Sequence, residues 1–503
     1  MENQLKTRKN GFPLSLIWIA STIIFCAVFI LVSIPRVQAQ SRQQDDPSGQ
    51  YISIIRSVFD FIQRHYVEEV DPKLLFEGAM SGMLNSLGDP HSTYLTELDM
   101  PDLNDITQGS FGGVGLYISK QIRSDGKPAY IEVSAPIEDT PGWRSGINPG
   151  DLIIEINGES TEPLSSDEAA TKLRGVPGES VRLLIRRGEK LEFPVTIVRA
   201  VIEVPTVKSA MIGDIGYLKL LTFTNMTADR ARDALNDFQS KNYKSVILDL
   251  RNNYGGLLNS AVSVTNLFVE GGIVVTTKSR VPSDNYVYYA RSKAVTGPDV
   301  PVVVLINRGS ASASEIVAGA LKDRGRAYLV GEKSFGKGSV QQVYPLSSPG
   351  SGPGNVGFKL TTARYYTPSD VNIDKIGIPP DREILFPEFT VEEAVKLNEL
   401  INENLISDFV AANPGASNTQ VDNFAGELSR KYDLDFSLLR RLIRNEQNRT
   451  VIAPVYDLEY DFQLQEAVKI LNTENFQSLM RTSKTLKALQ EEALQDPGFA
   501  LAS

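Results

Sequence analysis

A run of small and hydroxyl-bearing residues, Asn307-Arg-Gly-Ser-Ala-Ser-Ala-Ser-Glu-Ile316, separates a strand-like apolar segment from a helical pattern. A serine placed where a strand ends and a helix begins is exposed beside backbone N–H groups that have no helical partner. These N–H groups and the helix dipole stabilise negative charge that develops on a carbonyl oxygen. The run therefore offers a nucleophile for acyl transfer, although serines also cap helices, and capping alone explains this segment equally well.

Histidine and cysteine, which commonly serve as the base or the nucleophile in acyl transfer, are scarce. The chain has two histidines and one cysteine. His65 and His91 fit a helix surface and a turn, and neither belongs to an HExxH pattern. Cys26 lies in an apolar stretch, so the chain forms no internal disulfide and no cysteine-rich zinc site. We therefore expect no metal and no cofactor, and lysine is the base that remains for activating a serine.

A second motif, Gly331-Glu-Lys-Ser-Phe-Gly-Lys-Gly-Ser-Val-Gln-Gln342, follows the serine run. Together the two motifs resemble those of the carboxyl-terminal (tail-specific) processing proteases, S41-type serine peptidases with a Ser-Lys catalytic pair. The resemblance extends from about residue 51 to residue 381 through the segments Leu87–Tyr94, Asp249–Gly256, Thr361–Pro368 and Gly377–Asp381. Two departures, a Gly/Pro-rich stretch at 347–357 and a Ser-Asp pair after Thr-Pro, fall in predicted loops.

The resemblance implies roles for three residues. Ser312, the middle serine of Ser-Ala-Ser-Ala-Ser, is the expected nucleophile, and Lys337, 25 residues later, is the expected base. Gln341 is expected to orient the lysine amine. Lysine must be neutral to act, which requires its pKa to fall about three units from roughly 10.4, at a cost of about 4 kcal/mol. Burial of the ammonium group supplies a shift in that direction.

Backbone groups are expected to complete the site. The N–H of Ala313, next to the nucleophile, and the N–H of either Gly255 or Gly256 are the predicted oxyanion-hole donors, and the choice between the two glycines stays open. Glu315 and Asp323 are nearby acids. We expect them to support helix and loop structure, because a carboxylate close to Lys337 raises the lysine pKa and opposes catalysis.

Between about residues 110 and 202 the pattern changes to short strand-like runs separated by glycine turns. The segments at 112–118, 146–158 and 178–183 together resemble a PDZ domain. Such a domain binds a peptide as an added strand, and the N–H groups of a glycine loop hold its terminal carboxylate. The residues expected in that loop are Gly113, Val114, Gly115 and Leu116.

The amino terminus reads as a membrane-targeting segment. Three basic residues precede the uncharged stretch Phe12–Ile34, which is long enough, at about 1.5 Å per residue, to cross a hydrocarbon core of roughly 30 Å. Positive charge ahead of the span predicts a cytoplasmic amino terminus and an extracytoplasmic, periplasmic-side location for the rest. Ala39 ends a sequence that fits signal cleavage, so both an anchored and a released protein are expected outcomes.

The whole chain of 503 residues exceeds the size of a single core, and its net charge of −10 argues against nucleic-acid binding. We predict a multidomain α/β protein in which a ClpP/crotonase-like protease core carries an inserted β-rich PDZ domain between helical terminal regions. The expected parts are a membrane segment (1–40), a helical region (41–105), a PDZ domain (106–203), a protease core (204–388) and a carboxyl-terminal helical region (389–503).

The expected function is a serine endopeptidase that cleaves proteins near or from their carboxyl-terminal region. Its partners would be protein or peptide substrates with free carboxyl termini, and a second copy of the chain or an adaptor lipoprotein is a further candidate. A non-catalytic PDZ adaptor on a protease-like fold is the alternative function. A hydratase or isomerase acting on acyl thioesters is a third, because related α/β folds host unrelated chemistries.

Overall fold

The computed structural model describes residues 47–97, 99–120, 129–188, 190–347, 354–386, 389–448 and 454–495. The predicted membrane segment Phe12–Ile34 and the predicted cleavage position at Ala39 lie outside these residues. Within the described ranges, no helix is both long enough and apolar enough to span a bilayer. The chain divides after Met80 into two compact units, of which the second carries the chemistry discussed below.

Two helices occupy the first described segment, as the apolar spacing predicts. They are α1 (Ser48–His65) and α2 (Pro72–Asn85). A turn containing Gly88 and His91 leads to a short strand, β1 (Thr93–Leu95), and then to helix α3 (Asp99–Gln108).

A small β-rich unit comes next and has the predicted alternation of strands and glycine turns. Its order is β2 (Ser110–Gly113), β3 (Leu116–Lys120), β4 (Ile131–Pro136), α4 (Pro141–Arg144), β5 (Leu152–Ile156), β6 (Glu159–Ser160), α5 (Ser166–Leu173), β7 (Ser180–Arg187), β8 (Leu191–Val198) and β9 (Ala200–Glu203). Strands β3, β4, β5, β7 and β8 form one sheet in that order, and β2 pairs with β9. Alternate residues of the sheet, among them Ile131, Val133 and Ile153, are fully buried and form this unit's core.

The following segment builds a mostly parallel sheet from alternating strands and helices. The elements are β10 (Val207–Ile212), β11 (Ile215–Leu220), α6 (Thr227–Ser240), β12 (Ser245–Asp249), α7 (Leu258–Thr265), β13 (Ile273–Ser279), β14 (Tyr286–Tyr289), β15 (Val302–Ile306), α8 (Ala313–Asp323) and β16 (Tyr328–Gly331). Apolar spacing alone would extend helix α7 to Phe268, three residues beyond its end. The sheet order is β10-β11-β12-β15-β16, extended by the short β19 (Arg382–Glu383), and every pair after β10-β11 is parallel.

A second sheet lies beside this one and is antiparallel. Its long strand β18 (Val356–Tyr366) pairs with β1, with β13 and with β17 (Ser339–Leu346), and β14 is the outer partner of β13. The segment Thr93–Leu95 therefore lies far from β18 in sequence but against it in space.

The carboxyl-terminal region is helical, as predicted, but it contains more helices than the spacing indicates. Its elements are α9 (Val391–Asn402), α10 (Leu405–Ala412), α11 (Asn418–Tyr432), α12 (Phe436–Gln447), α13 (Phe462–Thr473), α14 (Phe476–Thr482) and α15 (Leu486–Gln495). The apolar spacing from Leu464 to Leu494 by itself indicates one or two amphipathic helices, and the structure has three short ones in this segment. Leu464, Ala467 and Ile470 of α13 pack on the face of the parallel sheet that carries Ile247 and Val303.

The central strands are therefore buried on both faces. Val246 and Leu248 of β12 belong to a core shared with α6, α7 and α8, whereas Ile247 between them faces α13. Continuous apolar strands of this kind are typical of a parallel sheet covered on both sides. The predicted class, an α/β core with an inserted β-rich domain and helical flanks, is confirmed.

Candidate active site

Three loops meet at the carboxyl-terminal edge of the parallel sheet, because β12, β15 and β16 are neighbours and run in the same direction. The loop after β12 carries the two glycines, the loop after β15 carries Ser312, and the loop after β16 carries Lys337. Ligand and catalytic sites of open α/β sheets form at this edge. The fold thus brings the predicted nucleophile, base and oxyanion glycines to one place.

The loops after β12 and β15 are joined by direct hydrogen bonds. The N–H of Asn252 donates to Oδ1 of Asn307 at 3.0 Å, and the N–H of Ala311 donates to the carbonyl of Asn253 at 3.0 Å. The Ser314 hydroxyl donates to the same Asn253 carbonyl at 2.8 Å. The serine run is therefore fixed against the glycine loop as well as at the start of a helix.

Ser312 immediately precedes helix α8 and has an unusual backbone conformation. Its φ is +54° and its ψ is −112°, outside the regions that residues with a side chain normally occupy. A conformation of this kind costs on the order of 1–3 kcal/mol and requires support from the surrounding structure. A strained serine between a strand and a helix is the geometry that exposes a nucleophile in a strand-to-helix elbow.

The carboxylate of Glu315 supplies part of that support. Its Oε2 accepts the N–H of Ser312 at 2.9 Å and the N–H of Lys337 at 2.8 Å. Its Oε1 accepts the Ser334 hydroxyl at 2.6 Å and the N–H of Gly336 at 2.7 Å. Burial raises the pKa of Glu315, and the four hydrogen bonds oppose that rise. The expectation of a structural role for this acid agrees with these contacts.

Lys337 is half-buried, and burial lowers the pKa of its amine. The positive charge of Lys359 lowers that pKa further, whereas Asp89 and Glu315 act in the opposite direction. Among the described residues, no carboxylate forms an ion pair with Nζ of Lys337. The lysine environment thus favours the neutral amine, which is the form that accepts a proton.

The glycines on either side of Lys337 have a packing reason. A Cβ on Gly336 would lie 2.9 Å from the N of Gly377, and a Cβ on Gly338 would lie 2.5 Å from the N of Asp374. Both contacts involve backbone that cannot move aside cheaply. The lysine loop therefore lies directly on the segment 374–377, a contact that only glycine permits.

Gln341 lies at an irregularity in the pairing of β17 with β18. Its Nε2 donates to the hydroxyls of Ser339 and Thr361, both at 3.0 Å. Within the described part of the chain, Oε1 of Gln341 receives no hydrogen bond. The amide is thus oriented through its nitrogen, and its oxygen remains available to an amine.

The predicted oxyanion donors are not equivalent. The N–H of Gly255 donates to Oδ1 of Asn253 at 2.9 Å, and Gly255 is buried. Gly256 is exposed, and neither its N–H nor the N–H of Ala313 makes a hydrogen bond among the described residues. The structure thus distinguishes two glycines that the sequence leaves equal.

A cavity of about 890 Å³ adjoins this edge of the sheet. Leu257, Gln341, Tyr286, Tyr288 and Tyr344 contribute to its wall. Neither Ser312 nor Lys337 lines it. The cavity is large enough for several side chains of a peptide. Leu257, which follows Gly256, is part of its wall.

A second groove lies in the β-rich unit, between the edge strand β3 and helix α5. Its volume is about 200 Å³, and its wall includes Val114, Gly115, Leu116 and, from the helix, Leu173. Gly113, the fourth predicted residue, ends β2 and does not line it. Among the described strands, β3 pairs only with β4, so its other edge is free for an added strand.

In the turn before β3, the carbonyls of Val114 and Gly115 make backbone hydrogen bonds, whereas among the described residues their N–H groups do not. The carbonyl of Val114 accepts the N–H of Gly142 at 2.7 Å, and the carbonyl of Gly115 accepts the N–H of Ile137 at 2.9 Å. The N–H groups of Val114 and Gly115 have no backbone acceptor in the described ranges. Gly115 has φ +78°, and a Cβ there would lie 2.3 Å from the Thr140 side chain.

Models of three known protein families match separate parts of the chain. A model described as peptidase family S41 covers residues 214–384, a PDZ domain model covers 132–187, and a model described as the activating protease CtpB N-terminal domain covers 30–98. The carboxy-terminal-processing protease of Bartonella bacilliformis is 40% identical over 72% of this chain and 82% of its own length. The chain belongs to the carboxy-terminal processing proteases of peptidase family S41.

Other members are similar over the same extent. The carboxy-terminal processing protease CtpB of Bacillus subtilis is 34% identical over 73% of this chain and 75% of its own. A solved structure named photosystem II D1 C-terminal processing protease is 27% identical and covers 67% of this chain and 93% of its own, with a TM-score of 0.40.

Sequence reasoning missed two contributions to the site of this S41 peptidase. The buried hydroxyl of Tyr365 donates to the carbonyl of Lys337 and lies 3.3 Å from the carbonyl of Ser312. The turn before β1 also acts on the lysine, since Asp89 influences its pKa, and the Ser92 hydroxyl accepts the N–H of Thr361 at 3.0 Å. Both segments had been noted only as parts of the resemblance, and nothing in their local pattern indicates a contact with the lysine loop.

His91 lies in the same turn as Asp89, and the charge of Lys337 affects its pKa. Burial lowers the pKa of His91, and the positive charge of Lys337 lowers it further. Its backbone N–H donates to Oδ1 of Asp89 at 3.0 Å. The prediction of a turn histidine agrees with this placement.

Proposed function

We propose that this S41 peptidase is a serine endopeptidase in which Ser312 and Lys337 form the catalytic pair and the PDZ domain recognises the substrate's carboxyl-terminal tail. One observation carries the proposal: the backbone N–H groups of Ser312 and Lys337 donate to the same oxygen of Glu315. Oε2 of Glu315 thereby holds both Ser312, whose backbone is strained, and Lys337, whose pKa is lowered.

The proposed reaction begins with neutral Lys337. Oγ of Ser312 attacks the scissile carbonyl carbon while its proton passes to Nζ of the lysine, and the lysine then gives that proton to the leaving amine. Water then attacks the ester carbonyl and loses a proton to Nζ of Lys337. When the acyl–Oγ bond breaks, Nζ returns that proton to Oγ, which restores Ser312 and releases the acid. The lowered lysine pKa supports this cycle, because a lysine that is always protonated cannot start it.

The negative charge that forms on the carbonyl oxygen requires donors that are free in the resting enzyme. The N–H groups of Ala313 and Gly256 meet that requirement, whereas the N–H of Gly255 is already bound to Asn253. We therefore assign the oxyanion hole to Ala313 and Gly256, and we give Gly255 the role of close packing against Ser312.

Gln341 completes the proposed catalytic group. Because Ser339 and Thr361 hold its nitrogen, its oxygen is the atom that would accept a hydrogen bond from the lysine amine. Such a bond orients the amine without adding a charge that would raise its pKa.

The groove between β3 and α5 supports tail recognition. A substrate strand would pair with the free edge of β3, and the N–H groups of Val114 and Gly115 would hold its terminal carboxylate, as in strand addition to a sheet edge. The apolar wall, which includes Leu116 and Leu173, favours an apolar last residue.

For the location, the proposal rests on the sequence of Phe12–Ile34 and its preceding positive charges. We place the peptidase on the extracytoplasmic side of a membrane, anchored or released by cleavage after Ala39. Protease added to intact cells, and then to cells with a permeabilised outer layer, tests this arrangement by the accessibility of a carboxyl-terminal tag.

A serine-reactive acylating probe tests the catalytic proposal directly. The probe should label the full-length chain and not its Ser312→Ala variant, and only the former should hydrolyse an internally quenched peptide with an apolar free carboxyl terminus. A chain that binds the peptide but is neither labelled nor active would instead be a PDZ adaptor. Comparing protein termini in cells that carry active or Ser312→Ala protein would then identify the substrates.

A further inference from the structure

The carboxylate of Glu315 is fully buried, although burial of an ionised carboxylate is costly unless hydrogen bonds compensate it. Its partners are unusual in kind: three backbone N–H groups, from Ser312, Gly336 and Lys337, and one hydroxyl, from Ser334. They come from the nucleophile and from the lysine loop. The acid therefore connects the two parts of the proposed catalytic pair.

All four partners are donors, which determines the ionisation state of the carboxyl group. A backbone N–H can only donate. The Ser334 hydroxyl also donates here, because its oxygen already accepts the N–H of Ile378 at 2.6 Å, so its proton is directed to Glu315. A protonated carboxyl group would have to direct its own proton at one of these donors. The hydrogen-bond geometry thus favours the carboxylate over the protonated acid and opposes the rise in pKa that burial causes.

Each oxygen of the Glu315 carboxylate accepts two hydrogen bonds. Oε2 receives the N–H groups of Ser312 and Lys337, and Oε1 receives the two groups from 334 and 336. An amide in place of the carboxylate would present an NH₂ group to one of these donor pairs, whichever way it turned. Charge-assisted hydrogen bonds of this type are about twice as strong as neutral ones.

We propose that Glu315 is the positioning residue that fixes the distance between Ser312 and Lys337. Its carboxylate holds the strained backbone of the nucleophile and the backbone of the lysine by one side chain at the start of helix α8. This inference rests on the proposed function, because it concerns the geometry of that catalytic pair. It also explains why an acid is present beside a lysine that must lose its proton: the hydrogen bonds of the carboxylate are made to backbone groups and not to Nζ.

The test measures steady-state hydrolysis of the quenched peptide by the full-length chain, together with the melting temperature of each variant. Glu315→Gln should lower kcat by about 100-fold or more while KM changes by less than about threefold, since a displacement of about 1 Å between reacting groups is enough for such a loss. Ser334→Ala removes one donor, leaves the carboxylate in place, and should lower kcat by roughly three- to tenfold.

Asp381→Asn is the matched control for loss of a buried carboxylate. Asp381 binds Lys322 and accepts the N–H of Leu329 at 2.8 Å, away from the catalytic loops. We expect it to lower the melting temperature at least as much as Glu315→Gln does, with kcat within about threefold of the parent. Ser334→Ala keeps the inference testable if Glu315→Gln fails to fold.

The outcomes separate this inference from the proposed function. If the parent chain does not hydrolyse the peptide and the acylating probe does not label Ser312, the proposed function fails. If the parent is active but Glu315→Gln keeps its kcat, or loses activity only in proportion to a rise in KM, Glu315 does not position the pair. If Asp381→Asn loses as much kcat as Glu315→Gln, the effect is one of general stability and the inference is wrong.

Discussion

Gly255 lies so close to Ser312 that a Cβ added to the glycine would be 2.9 Å from Cβ of the serine. The same atom would be 2.8 Å from the carbonyl oxygen of Ala311 and 3.0 Å from the N of Ala313. The glycine also has φ +104°, which a residue with a side chain adopts only with strain. The glycine loop and the nucleophile loop can therefore touch only because position 255 has no side chain.

We therefore expect Gly255→Ala to displace Ser312 and to lower kcat by tenfold or more, with a smaller change in KM. Gly213→Ala is the control, since Gly213 also has a positive φ, +61°, but open space where its Cβ would be. Its activity should stay within about twofold of the parent. Equal losses in the two variants would mean that backbone strain, and not contact with the nucleophile, explains the effect.

The second prediction concerns the catalytic pair. Ser312→Ala and Lys337→Ala should each abolish peptide hydrolysis while the fold persists, because nucleophile and base act as a unit. Lys337→Arg should be equally inactive, since a guanidinium stays protonated and cannot accept the serine proton. Lys333→Ala, an exposed lysine in the same loop, should keep the parent rate. Substantial turnover by Lys337→Arg would show that the residue provides only positive charge.

The third prediction is a change in pH dependence. In the proposed mechanism activity requires neutral Lys337, so kcat should rise as pH increases through the lysine pKa. Lys359 lowers that pKa by its positive charge, and Lys359→Gln should therefore raise it and move the acid limb of the pH profile to higher pH. Lys333→Gln also removes one positive charge, from an exposed position in the lysine loop, and should leave the limb in place. A limb that moves to lower pH in Lys359→Gln would contradict the assignment of Lys337 as the base.

Much of the fold could be predicted because its elements have strong local patterns. The apolar runs at Ser245–Asp249 and Val302–Ile306 are short, β-branched and bounded by loops, and both are strands. Helix lengths were harder: the pattern from 464 to 494 hides breaks after Thr473 and after Thr482. The packing of α13 on the sheet could not be predicted, because an amphipathic helix does not reveal which surface it covers.

The candidate site, like the fold, could be predicted from the sequence only in part. The roles of Ser312 and Lys337 could be proposed because their two motifs resemble those of the carboxyl-terminal processing proteases. The oxyanion donor could not be chosen, because the difference between Gly255 and Gly256 depends on a bond from the first of them to Asn253. Tyr365 could not be found either, since its contact with Lys337 exists only once β18 lies across the lysine loop.

The fourth prediction concerns the attachment of the carboxyl-terminal helices. The guanidinium of Arg251, which follows β12, donates two hydrogen bonds to Asp249. It donates two more to Asp461, at 2.6 and 2.7 Å. The guanidinium is almost fully buried, so Asp461→Asn weakens charge-assisted hydrogen bonds that water cannot replace, although Asp249 still balances the charge of the guanidinium. Asp461→Asn should lower the free energy of unfolding by about 1.5–3 kcal/mol, measured by urea denaturation.

Asp433→Asn provides the comparison for that measurement. Asp433 is exposed and pairs with Lys396 at 3.1 Å, and such surface pairs contribute about 0–1 kcal/mol. We expect its unfolding free energy to stay within about 0.5 kcal/mol of the parent value. If Asp461→Asn were equally neutral, the buried charges would not hold α13 to the sheet.

The last prediction addresses the groove between β3 and α5, studied in the full-length chain with Ser312→Ala so that bound peptides stay intact. Peptides with a free, apolar carboxyl terminus should bind through the N–H groups of Val114 and Gly115, and amidation of that terminus should weaken binding tenfold or more, about 1.4 kcal/mol, as followed by fluorescence anisotropy. Gly115→Ala should remove the difference between free and amidated peptides, because its Cβ would collide with Thr140 at 2.3 Å. Gly150→Ala, where the Cβ meets open space, should preserve it. In the active enzyme, free peptides should be hydrolysed faster than amidated ones. Equal binding of the two peptide forms would exclude carboxylate recognition and leave the groove as a reader of internal segments.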